Sequence, residues 1–141
     1  MMQLTSALRQ AICAEGERAY PNECCGILLG QQREEGVRCA DEIIPIHNAR
    51  EAAEQYHRFL IEPDDVLRAE LRAQEQGKDV LGFYHSHPDH PAQPSEYDRE
   101  HALPFYSYVI VSVEKGKATD LTSWALSTDR TRFADEGCLA V

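Results

Sequence analysis

Residues 83–98, "FYHSHPDHPAQPSEYD", gather three histidines, three prolines and two aspartates into sixteen positions. The run leading into them, "DVLGFYHSH" at 79–87, reads as a buried β-strand that Pro88 ends. Side chains two apart in a strand emerge on the same face, so His85 and His87 stand side by side while Ser86 points the other way. Asp98 follows eleven residues after His87, near the first turn of a short helix that can begin at Ser95. A chain that loops back over the sheet brings this carboxylate to the imidazoles. Two neutral imidazoles and one carboxylate leave the fourth tetrahedral position of a zinc ion open, the pattern of a catalytic rather than a structural site. Zinc held this way lowers the pKa of a bound water to roughly 7. Each part also has a plainer reading. H-x-H pairs are common, Ser95 and Asp98 fit a helix capping box, and prolines turn loops. The joint spacing, H-S-H-P, six residues, S, two residues, D, favours the metal.

Around this segment the chain reads as alternating elements. Leu4, Leu8, Ala11, Ile12 and Ala19 lie near one stripe of a helix over 4–19, which Pro21 closes. "GILLG", 26–30, predicts a short strand running into a turn, and "VRCADEIIPIHN", 37–48, a second strand interrupted by Pro45. Residues 48–61 stay open: "AREAAEQYH" favours helix, whereas "RFLI" suits a strand. A further helix starts at Pro63, with Asp64 and Asp65 at its positive end, Val66, Leu67 and Leu71 as its apolar face and Gly77 as its stop. "FYSYVIVSV" and "TDLTSWALS" predict two closing strands about the turn "EKGK", and the last dozen residues carry little pattern. Helix–strands–helix–strands predicts an α/β (α+β) fold, a mixed sheet with helices packed on its faces.

With 141 residues, 43% of them hydrophobic, the chain is expected to form one domain over 1–141 with a core of its own. The net charge of −10 argues against a surface built for nucleic acid or anionic membranes. No apolar run is long enough to span a bilayer, and the first residues lack signal-peptide features, so a cytoplasmic location is expected. The five cysteines, Cys13, Cys24, Cys25, Cys39 and Cys138, form no C-x-x-C pair. Reduced thiols packed as small apolar groups are the expectation.

The string "HSHPDHPAQPSEYD" resembles the signature of the JAMM, or MPN+, metalloproteases, H-[ST]-H-P-x6-S-x2-D, preceded by a glutamate beside a strand. That glutamate has a counterpart in "PNECCGILLG" as Glu23. The resemblance implies a cytidine-deaminase-like core with a curved mixed sheet. It implies one Zn2+ per chain, with His85, His87 and Asp98 as its ligands. It also makes Ser95 a donor to the oxyanion, and Glu23 the general base that moves a proton from the zinc-bound water to the leaving amine. Family members hydrolyse amide bonds at the C-terminal tail of ubiquitin or its relatives. The short chain is most similar to compact prokaryotic members, which act on ubiquitin-like sulfur carrier proteins or their aminoacyl adducts. CysO-cysteine peptidases are of this type.

Two other readings compete. RadC-like DNA-associated proteins carry a similar motif, which the acidic charge disfavours. A non-catalytic MPN scaffold would normally have lost ligands, and none of the five positions is lost here. A zinc deaminase would need H-x-E and P-C-x-x-C, which are absent. His90 either lines the site entrance or faces solvent, with solvent favoured. His47, His57 and His101 have no motif partners, and Trp124, Tyr106 and Tyr108 read as core or sheet surface.

Overall fold

The computed structural model describes residues 1–34, 36–50, 52–55 and 60–141. Among the described residues eight strands and three α-helices follow one another as β1 (Met2–Leu4), α1 (Ser6–Ala19), β2 (Cys25–Gln32), β3 (Arg38–Ile46), α2 (Pro63–Glu75), β4 (Asp79–Pro88), α3 (Glu96–His101), β5 (Ser107–Glu114), β6 (Lys117–Leu126), β7 (Phe133–Asp135) and β8 (Cys138–Ala140). A 3-10 turn, Ala52–Glu54, lies between β3 and α2. The strands form a single mixed sheet in the order β7-β6-β5-β4-β2-β3-β1-β8. β4 runs parallel to β5, and β1 parallel to both β3 and β8, while the remaining pairs are antiparallel.

This order forces curvature. β7 and β8 stand at opposite ends of the sheet, yet only Glu136 and Gly137 separate them in the chain. So short a link reaches about 11 Å at full stretch, and the sheet must curl until its two edges approach. Glu136 fastens the closure: its N–H donates to Ser123 O at 3.0 Å, and its carboxylate accepts from Ser123 Oγ at 2.6 Å. One face of the sheet packs on α1, where Leu8 and Ile12 meet Leu28, Val109, Val111 and Val113. The other face packs on α2, where Ala69 and Ala73 meet Ile27 and Leu29.

Several boundaries differ from the sequence reading for physical reasons. Leu4, read as the start of the helix, belongs to a strand. Thr5 caps α1 by accepting the Leu8 N–H at 3.1 Å, and Met2 and Leu4 are fully buried in β1 instead. β3 continues through Pro45 because β1 pairs only with Arg38–Ala40, so the missing N–H at Pro45 interrupts no second ladder. In α2 the sheet-facing stripe is Val66, Ala69 and Ala73, spaced i, i+3, i+7, and the small alanines let the helix approach closely. Leu67 and Leu71, expected inside, are 55% and 53% exposed. Of the segment left open between helix and strand, residues 56–59, His57 among them, lie outside the described residues, and Leu60 and Ile61 are not in a strand.

β4 and β5 meet closely at Gly82. A Cβ on Gly82 would sit 1.9 Å from the Ser107 carbonyl oxygen. Backbone cannot rotate away as a side chain can, so Gly82→Ala is expected to destabilise the fold by about 3 kcal/mol or more. A urea midpoint within error of wild type would show that the two strands do not pack as tightly as this.

Candidate metal centre

The β4–β5 pairing runs in unbroken parallel register from Gly82 to Pro88, which gives the histidine segment a rigid, buried base. His85 and His87 project from one face of β4. Their Nε2 atoms lie 3.1 Å apart. Asp98 reaches them from the first turn of α3, with Oδ2 3.2 Å from each Nε2. Its position is set by a capping box: Ser95 Oγ accepts the Asp98 N–H at 3.1 Å, and Asp98 Oδ2 accepts the Ser95 N–H at 2.9 Å. The capping and metal-site readings of Asp98 are therefore compatible, since one carboxylate oxygen meets both sets of partners.

The protonation pattern fits a cation. His87 Nδ1 lies 2.9 Å from the Pro91 carbonyl, which only accepts, so Nδ1 carries the proton and Nε2 presents a lone pair. That lone pair faces a carboxylate and a second imidazole. Zinc bonds of about 2.0–2.1 Å at the tetrahedral angle space their ligand atoms about 3.3–3.4 Å apart, within a few tenths of the spacing here. Burial pulls the His85 pKa below the ordinary imidazole value and so favours its neutral form. For His87 burial acts the same way, but Asp98 outweighs it and the net shift is upward. Burial would raise the Asp98 carboxyl, yet the two imidazoles hold it far below the usual carboxylate range. The three residues could together hold a metal ion.

Glu23 enters from a different element, just before β2, and is 7% exposed. Burial pushes its carboxyl up to about 8, with His87 opposing and Asp98 reinforcing the rise. Its backbone is tied on both sides. The Glu23 N–H donates to Gln55 O at 2.6 Å, and its carbonyl accepts from Asn48 Nδ2 at 3.2 Å. The next N–H, of Cys24, donates to Ser86 Oγ at 2.8 Å. Ser86 thus points away from the imidazoles, as alternation requires, and uses that direction to hold the glutamate segment. Asn48 was not picked out from the sequence. Its one signal was an amide closing an apolar strand run.

Two cavities flank the cluster. An apolar groove of about 300 Å3 reaches His85 and Asp98 between α2 and α3, its walls including Ile61, Val66, Phe83 and Leu103. A second cavity of about 330 Å3 is lined by Glu23, His87, Ser95 and the loop carrying His90 and Gln93. Exposed His90 therefore combines the two roles weighed for it. His101 is exposed and stacks on Tyr97 with centroids 4.2 Å apart, and His47 is exposed as well. Tyr97 also receives Arg50 Nη2 at 2.6 Å, which ties α3 to the segment after β3. Trp124 is half-buried, and its Nε1 donates to Ala92 O at 3.2 Å. All five cysteines are free thiols. Burial pushes Cys24 up to about 12 and also raises Cys25, which removes both as nucleophiles at neutral pH. Among the described residues no helix is long and apolar enough to cross a membrane.

This fold is shared by AF2198, a JAB1/MPN domain protein from Archaeoglobus fulgidus, with a TM-score of 0.62 at 20% identity, over 100% of this chain and 97% of that one. The likeness is greater to DSY2949 from Desulfitobacterium hafniense, with a TM-score of 0.85 at 29% identity, over 100% and 93% of the two chains. Residues 5–127 match the family described as prokaryotic homologues of the JAB domain, and the chain belongs to that family, a compact prokaryotic branch of JAMM/MPN proteins. It is 37% identical to a desampylase of Haloferax volcanii over 93 residues, which are 65% of this chain and 63% of that protein. It is 30% identical to the CysO-cysteine peptidase of Mycobacterium tuberculosis over 128 residues, 89% of this chain and 83% of that one. A probable TtuB-protein conjugate cleaving protease of Thermus thermophilus is 30% identical over 72% of this chain and 63% of its own length. The matches to the Haloferax and Thermus proteins thus span less than two thirds of those relatives.

Asn48 holds more than Glu23, because its Oδ1 also accepts the Arg50 and Leu60 N–H groups at 3.0 Å each. Asn48→Ala leaves the buried Glu23 carbonyl and these two part-buried N–H groups without their partner and is expected to cost about 1–3 kcal/mol. Denaturant unfolding measures it, and a loss under about 0.5 kcal/mol would mean that water takes over the amide's role.

Proposed function

We propose that this protein is a zinc-dependent hydrolase that cuts an amide bond at the C-terminal tail of a ubiquitin-like protein, such as a sulfur carrier or its aminoacyl adduct. The observation that carries the proposal is the convergence of His85 Nε2, His87 Nε2 and Asp98 Oδ2 within 3.2 Å of one another. These three residues would hold one zinc ion. When bound, zinc supplies Lewis acidity, polarising the scissile carbonyl and lowering the pKa of a coordinated water to about 7.

The remaining steps belong to the chain's own side chains. Glu23, buried beside the cluster, accepts in its ionised form a proton from the attacking water and returns it to the leaving nitrogen. Coming from a separate element lets it face the water without occupying a ligand position. The Ser95 oxygen already accepts the Asp98 N–H, which leaves its own proton to donate to the carbonyl oxygen as negative charge develops there. An extended tail lies in the apolar groove, where Val66, Phe83 and Leu103 cover its side chains and His85 and Asp98 close the far end. The names of the Haloferax, Mycobacterium and Thermus relatives, a desampylase and two peptidases of protein adducts or conjugates, support the same class of substrate.

Two substitutions separate holding the metal from moving the proton. Asp98→Ala is expected to abolish stoichiometric zinc by elemental analysis. Glu23→Gln is expected to keep one zinc per chain while turnover of a tail peptide conjugate falls by roughly 10²–10⁴-fold. If both variants lose zinc alike, Glu23 is a ligand and not the base.

A further inference from the structure

Hydrolysis of an amide breaks the C–N bond, puts the water's hydroxyl on the carbonyl carbon and sends a proton through Glu23 to the nitrogen. On the proposed function above, the leaving nitrogen therefore departs on the side of Glu23. That side is the second cavity, where Glu23 and Ser95 face the loop from Asp89 to Pro94. The apolar groove shares no lining residue with that cavity, and it takes the acyl half.

The loop is fastened to an unusual degree. Asp89 N–H donates to Val113 O at 2.7 Å, while its carboxylate accepts Tyr20 OH at 2.6 Å and Lys115 N–H at 2.8 Å. The His90 carbonyl accepts Ser112 Oγ at 2.5 Å, and the Pro91 carbonyl accepts His87 Nδ1 at 2.9 Å. Thr122 Oγ1 and Trp124 Nε1 both donate to Ala92 O, at 2.7 and 3.2 Å. Every one of these bonds uses backbone or Asp89. The His90 imidazole and the Gln93 carboxamide line the cavity and hydrogen-bond to no described residue. A rigid wall thus presents two N–H-bearing side chains, with their donors unspent, to the space where the nitrogen leaves.

We propose that His90 and Gln93 determine leaving-group specificity, and that they select an amine carrying a free carboxylate beside the departing nitrogen, an α-amino acid. A carboxylate only accepts, so it complements a pair of donors. The cavity's size agrees, since about 330 Å3 lies at the low end of the roughly 300–1,000 Å3 of small-molecule sites. It accommodates a single residue better than the backbone on both sides of a lysine in a folded protein. Proline walls and fastened carbonyls remove the ordering cost that a mobile loop would add to binding.

The test uses the zinc-loaded full chain and two conjugates that share one Gly-Gly tail. One ends in alanine with its free carboxylate, the other in alaninamide. Wild type is expected to show a KM about tenfold lower for the acid, at similar kcat. The double variant H90A/Q93A is expected to raise the KM of the acid about tenfold and to leave the amide unchanged. Equal KM values in wild type, or a variant that shifts both substrates alike, would overturn the assignment. A binding readout separates this from the parent reading. Free alanine, compared with alaninamide, is titrated while the His90 imidazole is followed by NMR in wild type, with H90A as the control for direct metal contact. Cleavage of both conjugates with no acid-selective shift at His90 sinks the pocket alone. An acid-selective shift with neither conjugate cleaved sinks the hydrolase and keeps the pocket.

Discussion

Three acceptor atoms forced together in a buried place are the constraint around which this molecule is organised. Two imidazole nitrogens and a carboxylate oxygen lie within 3.2 Å of one another, largely out of water. Unpaired, such a group is costly, because buried polar atoms need partners and buried charges need compensation. A shared proton offsets part of that cost. A divalent cation offsets more, because it draws on all three lone pairs at once. The fold keeps the atoms from escaping: β4 lies between β2 and β5, so the histidines cannot relax outward, and α3 begins where Asp98 must cap it.

The surroundings show how a strand can serve two faces at once. On the helix-α2 side, Phe83, His85 and His87 build the groove and the cluster. On the α1 side, Tyr84 is buried against the core and donates to Glu15 at 2.6 Å, and Ser86 holds the Cys24 N–H. The placement of Glu23 is thus coupled to the same strand that carries the imidazoles, through the residue between them. Tightening or slipping β4 by one position would exchange the two faces and lose both functions together. Gly26 and Gly82 help set that register, since a Cβ at either would collide with Tyr84 or with the Ser107 backbone.

Much of this was legible in the sequence where a short local rule applied. The H-x-H pair followed from strand alternation, the Ser95–Asp98 box from helix capping, and the mixed sheet from the order of elements. What was not legible depended on contacts distant in the chain. Nothing near Glu23 announces that Asn48, Gln55 and Ser86 will fasten it; only the resemblance singled it out. β1, β7 and β8 have three residues each, too few to show a period, and they exist because the closing sheet edges supply their partners. The apolar face of α2 was misread because bulk was weighed above spacing: two alanines face the sheet while two leucines face out. Trp124 read as core or sheet surface, and nothing near it announced that its indole N–H would pin Ala92 in the loop beside the cluster.

The double use of Asp98 has a mechanical consequence. One oxygen accepts the Ser95 N–H and faces both imidazoles, so the start of α3 and the three-residue cluster are held in common. Ser95, in turn, gives its oxygen to the Asp98 N–H and its position to the wall of the second cavity. A cation drawn to the cluster would strengthen the carboxylate's hold on its position, steady the cap and fix the Ser95 hydroxyl at the wall of the second cavity. Order therefore passes from the ion site to the donor through two bonds of one helical turn, with no moving part between them. A six-residue helix would be marginal in isolation. Here its first turn is anchored by the same carboxylate oxygen that faces both imidazoles, so the helix and the three-residue cluster stand together.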